Sequence, residues 1–143
     1  MANRRVVVTG LGLLSPVGNN VPDSWANILE GKSGVKTITN FDTENFETKF
    51  AATVEENIEN LLDKKEIRRT DPFIQYGLIA SQECIEDSGI DLDQIDKNKF
   101  GVSIGSGIGG LGTIEESKTK LSESGPKKIS PFFVPGAISN MVS

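Results

Sequence analysis

Apolar positions fall in short blocks whose spacing changes along the chain. Arg5 to Thr9, RVVVT, is a β-branched run followed by a glycine, the composition of a strand buried on both faces. A glycine- and proline-punctuated loop, GLGLLSPVG, comes next. Asn19 or Asn20 can cap a short amphipathic helix with Pro22 in its first turn, Trp25, Ile28 and Leu29 on one side, and an end at Gly31. Residues 31 to 48 look irregular, and Lys49 to Val54, KFAATV, reads as a short strand. Ile58, Leu61 and Leu62 suggest a helical turn or two.

Asp71-Pro72 is a strong helix start, with Asp as cap and Pro at the first helical position. Phe73, Ile74, Leu78, Ile79, Cys84 and Ile85 then carry an apolar stripe to a stop at Ser88-Gly89, which makes this the longest helix. After an acidic connection, Phe100, Val102 and Ile104 alternate with small residues as a buried strand does. Leu111 to Leu121 predicts another helix, with Glu115 and Glu116 toward its start and Lys118 and Lys120 toward its end, as the helix dipole favours. Prolines at 126, 131 and 135 predict an extended stretch, and from Gly136 onward a helix begins. Strands alternating with helices predict an α/β fold with a mixed or mostly parallel sheet and right-handed crossovers.

The stretch Phe100 to Gly112, FGVSIGSGIGGLG, organises the rest. Glycines at 105, 107, 109, 110 and 112 turn the end of a strand into a bend almost without side chains, which a ligand or a neighbouring backbone can approach closely. Ile108 is one bulky apolar side chain among them, with room to move.

Composition narrows the chemistry. With 143 residues, 36% hydrophobic and 24% charged, the chain suffices for one sizeable core, and it shows no repeat, linker or second domain. A net charge of -5 argues against general nucleic-acid binding. No apolar run is long enough to cross a membrane and the first residues lack the core of a signal peptide, so a cytoplasmic protein is expected. Cys84 is alone and histidine is absent, which removes Ser-His and Cys-His nucleophile pairs, cysteine-based metal sites and His-ligated metals from these residues. Within an apolar helix stripe Cys84 reads as a small core hydrophobe. Lys64, Lys65, Arg68 and Arg69 lie one helical turn apart in pairs and form a single positive face, either solvated or waiting for an anionic partner.

Two motifs mislead. Gly105 to Gly110 satisfies G-x-G-x-x-G between a strand and a helix, but the strand ending in an acidic residue some 20 positions later is missing, and Lys127 and Lys128 stand there instead. Ala26 to Ser33, ANILEGKS, imitates a phosphate loop but is the end of an amphipathic helix.

Four blocks in order, RRVVVTGLGLLSPVG, RRTDPFIQYG, GSGIGGLG and ISPFFVP, resemble the amino-terminal part of the beta-ketoacyl-acyl-carrier-protein synthases, the elongating type II enzymes above all. The resemblance spans residues 1–143 and implies a thiolase-like α/β fold, layered αβαβα when complete, in a homodimer. It implies extension of an acyl thioester by decarboxylative Claisen condensation with malonyl-acyl carrier protein, with no cofactor and no metal. Its nucleophilic cysteine and two histidines are expected beyond Ser143, so these residues alone would be inactive. Ile108 matches a residue that gates entry of the acyl chain, and Phe133 and Val134 match residues that reach across the dimer to line the acyl tunnel. Lys65, Arg68, Arg69, Lys127 and Lys128 match basic positions that meet the acidic carrier protein. The alternative is a chain-length-factor-like subunit that keeps the fold and lacks the nucleophile, and a dinucleotide-dependent enzyme is a weaker third reading.

Overall fold

A computed structural model describes residues 4–54 and 60–143. They form two compact units, Met1–Glu56 with Gln82–Gly89 and Asn57–Ser81 with Ile90–Ser143.

In the first unit, α1 (Val21–Leu29) starts at Asn20, whose side chain accepts from the Asp23 backbone N–H, with Pro22 in the first turn. Ser24, not an apolar residue, is its most buried side chain. Its hydroxyl lies 3.1 Å from that of Ser15 across the Ser15–Gly18 turn, while Trp25 is 60% exposed. Strand β1 (Val35–Thr37) pairs antiparallel with β2 (Phe50–Ala52), Lys36 opposite Ala51. β2 falls within the predicted strand; β1 lies in a segment that looks irregular in sequence, because its alternation lasts too few residues to register. Between the two strands, Phe41 and Phe46 pack edge to face at 5.6 Å.

The same unit contains the last part of α3 (Pro72–Ser88), residues 82–88, and there the glycine-rich loop is fastened by carboxylates. Glu83 accepts from the backbone N–H groups of Leu13 and Val21 at 2.8 and 2.7 Å, and Asp87 accepts from Leu11 at 2.9 Å. Such charge-assisted bonds satisfy donors that an irregular loop would otherwise leave unpaired. Cys84 donates its thiol to the Gly10 carbonyl at 3.4 Å and is half-buried, a packing role.

In the second unit, α2 (Lys64–Arg69) is capped by the Asp63 side chain and α3 begins at Pro72. Among this unit's described residues, Ile74 and Ile79 of α3, Ala137 and Val142 are the buried apolar ones. Gly77 gives Val142 its place, since a methyl group on Gly77 would stand 2.5 Å from a Val142 methyl. Helix α3 ends at Ser88 and Gly89 follows at φ +64°, the left-handed stop that glycine provides.

Three expectations are corrected. Residues 5–9 and 100–104 are not strands among the described residues; they run unpaired, with Val6 89% and Val102 59% exposed. A β-branched run becomes a buried strand only where neighbouring strands and covering layers meet it, and the described sheet is the β1–β2 pair alone. Helix α4 (Leu111–Ser124) runs past Leu121 to Gly125 at φ +80°, so Lys118 and Lys120 sit mid-helix; Lys120 instead pairs with Glu116 one turn back at 2.5 Å. Finally, α5 (Phe133–Ala137) is helical where prolines predict an extended chain, because Pro135 falls in its first turn and needs no N–H donor there. The turn expected around Ile58 lies largely outside the described residues, and no helix among those described is long and apolar enough to cross a membrane.

Candidate functional site

Lys64, Lys65, Arg68 and Arg69 lie together on the short helix α2, which a buried glutamine holds in place. Gln75, in the first turn of α3, is buried, and its amide donates to the carbonyls of Ile67 and Thr70 at 3.1 and 2.6 Å. Those carbonyls close helix α2, whose last acceptors lack intrahelical partners. A polar side chain in an apolar helix stripe was the available signal. By tying α2 to the start of α3, Gln75 fixes Lys64, Lys65, Arg68 and Arg69, all exposed, on a short helix of defined direction.

Beside them lies an open groove of about 560 Å³ within the second unit, lined among others by Arg68, Arg69, Gln75, Glu116, Lys120 and Phe133. Arg69 stacks over the Phe132 ring at 4.8 Å from its centre, which holds its guanidinium in one direction. The groove's lining thus combines the guanidinium groups of Arg68 and Arg69 with the rings of Phe132 and Phe133. It brings together Arg68, Arg69 and Phe133; Lys65, Lys127, Lys128, Ile108 and Val134 are not among the residues that line it. Lys127 and Lys128 are exposed on the short 3-10 turn Pro126–Lys128 that follows α4.

The glycine bend has two unlike halves. Methyl groups on Gly105 or Gly107 would meet nothing within 4 Å, and Ile108 is 75% exposed. From Gly109 the backbone is pinned: its φ is +82°, a methyl there would stand 2.7 Å from the Ala137 carbonyl oxygen, and Gly110 donates its N–H to that carbonyl at 2.8 Å. Phe133 and Val134 belong to α5, the helix that ends at Ala137, with Phe133 half-buried and Val134 exposed. Ile108 is thus an exposed apolar side chain one residue from a backbone segment that Gly110 ties to the end of α5.

The family described as beta-ketoacyl synthase, N-terminal domain, matches residues 3–143. The chain is 51% identical over 144 residues to 3-oxoacyl-[acyl-carrier-protein] synthase 2 of Vibrio cholerae, covering 100% of itself and 35% of that protein. It spans about a third of the length of the curated relatives it matches. Among solved structures, the ishigamide ketosynthase/chain length factor superposes with a TM-score of 0.84 at 26% identity, over 99% of this chain and 36% of that one. The AntDE:AntF complex, a type II PKS acyl-carrier protein with its ketosynthase, superposes at 0.71 with 24% identity, over 98% and 37%. The fold is the amino-terminal portion of the thiolase-like ketosynthase fold. The chain belongs to the beta-ketoacyl synthase family, matching its amino-terminal domain over residues 3–143.

Proposed function

We propose that the complete protein is a 3-oxoacyl-[acyl-carrier-protein] synthase of the elongating type. The supporting observation is the 51% identity, along all of this chain, to a protein of that name. In this reading a cysteine beyond Ser143 takes the acyl group as a thioester and releases the first carrier thiol. Malonyl carrier protein then loses carbon dioxide, and the resulting enolate carbon attacks the acyl thioester. The cysteine leaves as thiolate and a 3-oxoacyl product longer by two carbons remains on the carrier. Two histidines, also beyond Ser143, stabilise the developing enolate oxygen.

The described residues supply pocket and partner surfaces. Ile108 gates the acyl chain, Phe133 and Val134 line the tunnel across a homodimer interface, and Lys65, Arg68, Arg69, Lys127 and Lys128 receive the acidic carrier protein. A cytoplasmic location fits such a partner. No cofactor enters the reaction.

Incubation of the complete protein with acyl and malonyl carrier proteins is expected to yield 3-oxoacyl carrier protein, and absence of that product sinks the assignment. Ile108→Phe fills the space the side chain swings through, and should lower kcat/KM for long acyl chains about tenfold while short chains are spared, the scale on which apolar pockets discriminate. An unchanged chain-length profile would remove Ile108 from the gate. A second reading, a chain-length-factor-like subunit, draws on the likeness to the ishigamide ketosynthase/chain length factor. A glutamine in place of cysteine at the nucleophile position of the complete sequence would favour it.

A further inference from the structure

Asp71 is only 7% exposed, and its carboxylate joins two helices. Oδ2 accepts from the backbone N–H of Thr113 at 3.0 Å and from its hydroxyl at 2.8 Å, in the first turn of α4; Oδ1 accepts a longer bond of 3.4 Å from the Phe73 N–H at the start of α3. Helix N-termini carry unpaired donors and partial positive charge, so one carboxylate placed between two of them is satisfied by both. The Asp71 backbone N–H donates to the Gly136 carbonyl at 3.2 Å, beside the Ala137 carbonyl that receives Gly110. Gly110 leaves no room between the partners: a methyl there would stand 2.7 Å from Ala137 Cα and 3.1 Å from Asp71 Cβ and Cγ. The bend that carries Ile108 is therefore rooted on Asp71, while methyl groups on Gly105 and Gly107 at its other end would meet nothing within 4 Å.

We propose that Asp71 is a positioning residue that fixes the root of the Ile108 bend and so sets how far Ile108 swings, which makes it a determinant of acyl-chain-length selectivity. This rests on the gate reading of Ile108 given above. Asp71 itself touches no acyl group; it acts through Thr113 and Gly110. Any residue at 71 could pack under the bend, but only one with an acceptor at the Oδ2 position holds both Thr113 donors.

The test uses the complete protein and the ratio of kcat/KM for a long and a short saturated acyl-carrier substrate. In Asp71→Ala the ratio should move at least about threefold, with KM for malonyl carrier protein unchanged. Asp71→Asn keeps an oxygen acceptor for Thr113 and should hold the ratio within about twofold of the parent. Thr113→Val removes the hydroxyl bond and keeps nearly the same shape; it should shift the ratio in the same direction as Asp71→Ala, and it decides the matter if Asp71→Ala does not fold. A ratio unchanged in the folded variants overturns the proposal even if the melting temperature drops, as does an Asn variant that behaves like Ala. If Ile108→Phe alters chain-length preference and the Asp71 and Thr113 variants do not, only this inference fails; if Ile108→Phe is also silent, the gate itself is wrong.

Discussion

Gly10→Ala should destabilise the complete protein by about 2–4 kcal/mol, an unusually large effect for one added methyl group. The added carbon would press on the Cys84 carbonyl oxygen and stand 2.7 Å from the Ser88 backbone nitrogen and 2.8 Å from Ser88 Cβ. Two of those three neighbours are backbone atoms of α3, so no rotamer change can clear them. The loop must retreat, and its fastenings retreat with it: the Cys84 thiol bond to Gly10 at 3.4 Å and the Asp87 bond to Leu11 at 2.9 Å. Ser88→Gly as a second change should recover little, because it removes only the side-chain part of the collision. Denaturant unfolding of the two variants measures this. A Gly10→Ala protein within about 0.5 kcal/mol of the parent would mean that loop and helix are not in contact at this point.

Contacts of that kind explain how the sequence was readable and where it stopped being so. Helix starts announced themselves locally: Asn20 before Pro22, and Asp71 before Pro72, are caps whose chemistry is complete within four residues. The valine run at 6–8 announces a different thing, a segment suited to cover on both faces, without saying which residues provide it, and among those described none pairs with it. Asp71 was legible as a cap for α3, but not as the acceptor for Thr113, which lies 42 positions away. Glu83 offered no signal, since an acidic residue on a helix surface is ordinary until a loop 62 to 70 residues distant turns its N–H groups toward it. The glycine cluster was legible as a bend; that only its second half is pinned depends on Ala137, across a separation no local pattern encodes.

The basic face is legible as charge at helical spacing, while its use depends on a partner. Reversing Lys65 and Arg68 to Glu should raise the KM for acyl and malonyl carrier protein about tenfold or more, with kcat and the turnover of small thioester analogues spared. These two are the residues to reverse because both are exposed and, among the described residues, neither side chain is held by an ion pair or hydrogen bond. Arg69 is a poorer choice, since its stacking on Phe132 mixes structure with recognition. Each reversal exchanges attraction for repulsion toward an acidic partner within a stretch of 143 residues whose net charge is already -5, so long-range steering falls as well as the contact itself. Added salt screens exposed charges over roughly 10 Å at 0.1 M, so the parent's KM should climb with salt and the doubly reversed protein's should stay nearly flat or fall. Equal losses on carrier-bound and small substrates would indicate damage to the fold instead. A KM that ignores both the reversal and the salt would leave this face as plain solvated surface, and the carrier protein would have to dock elsewhere.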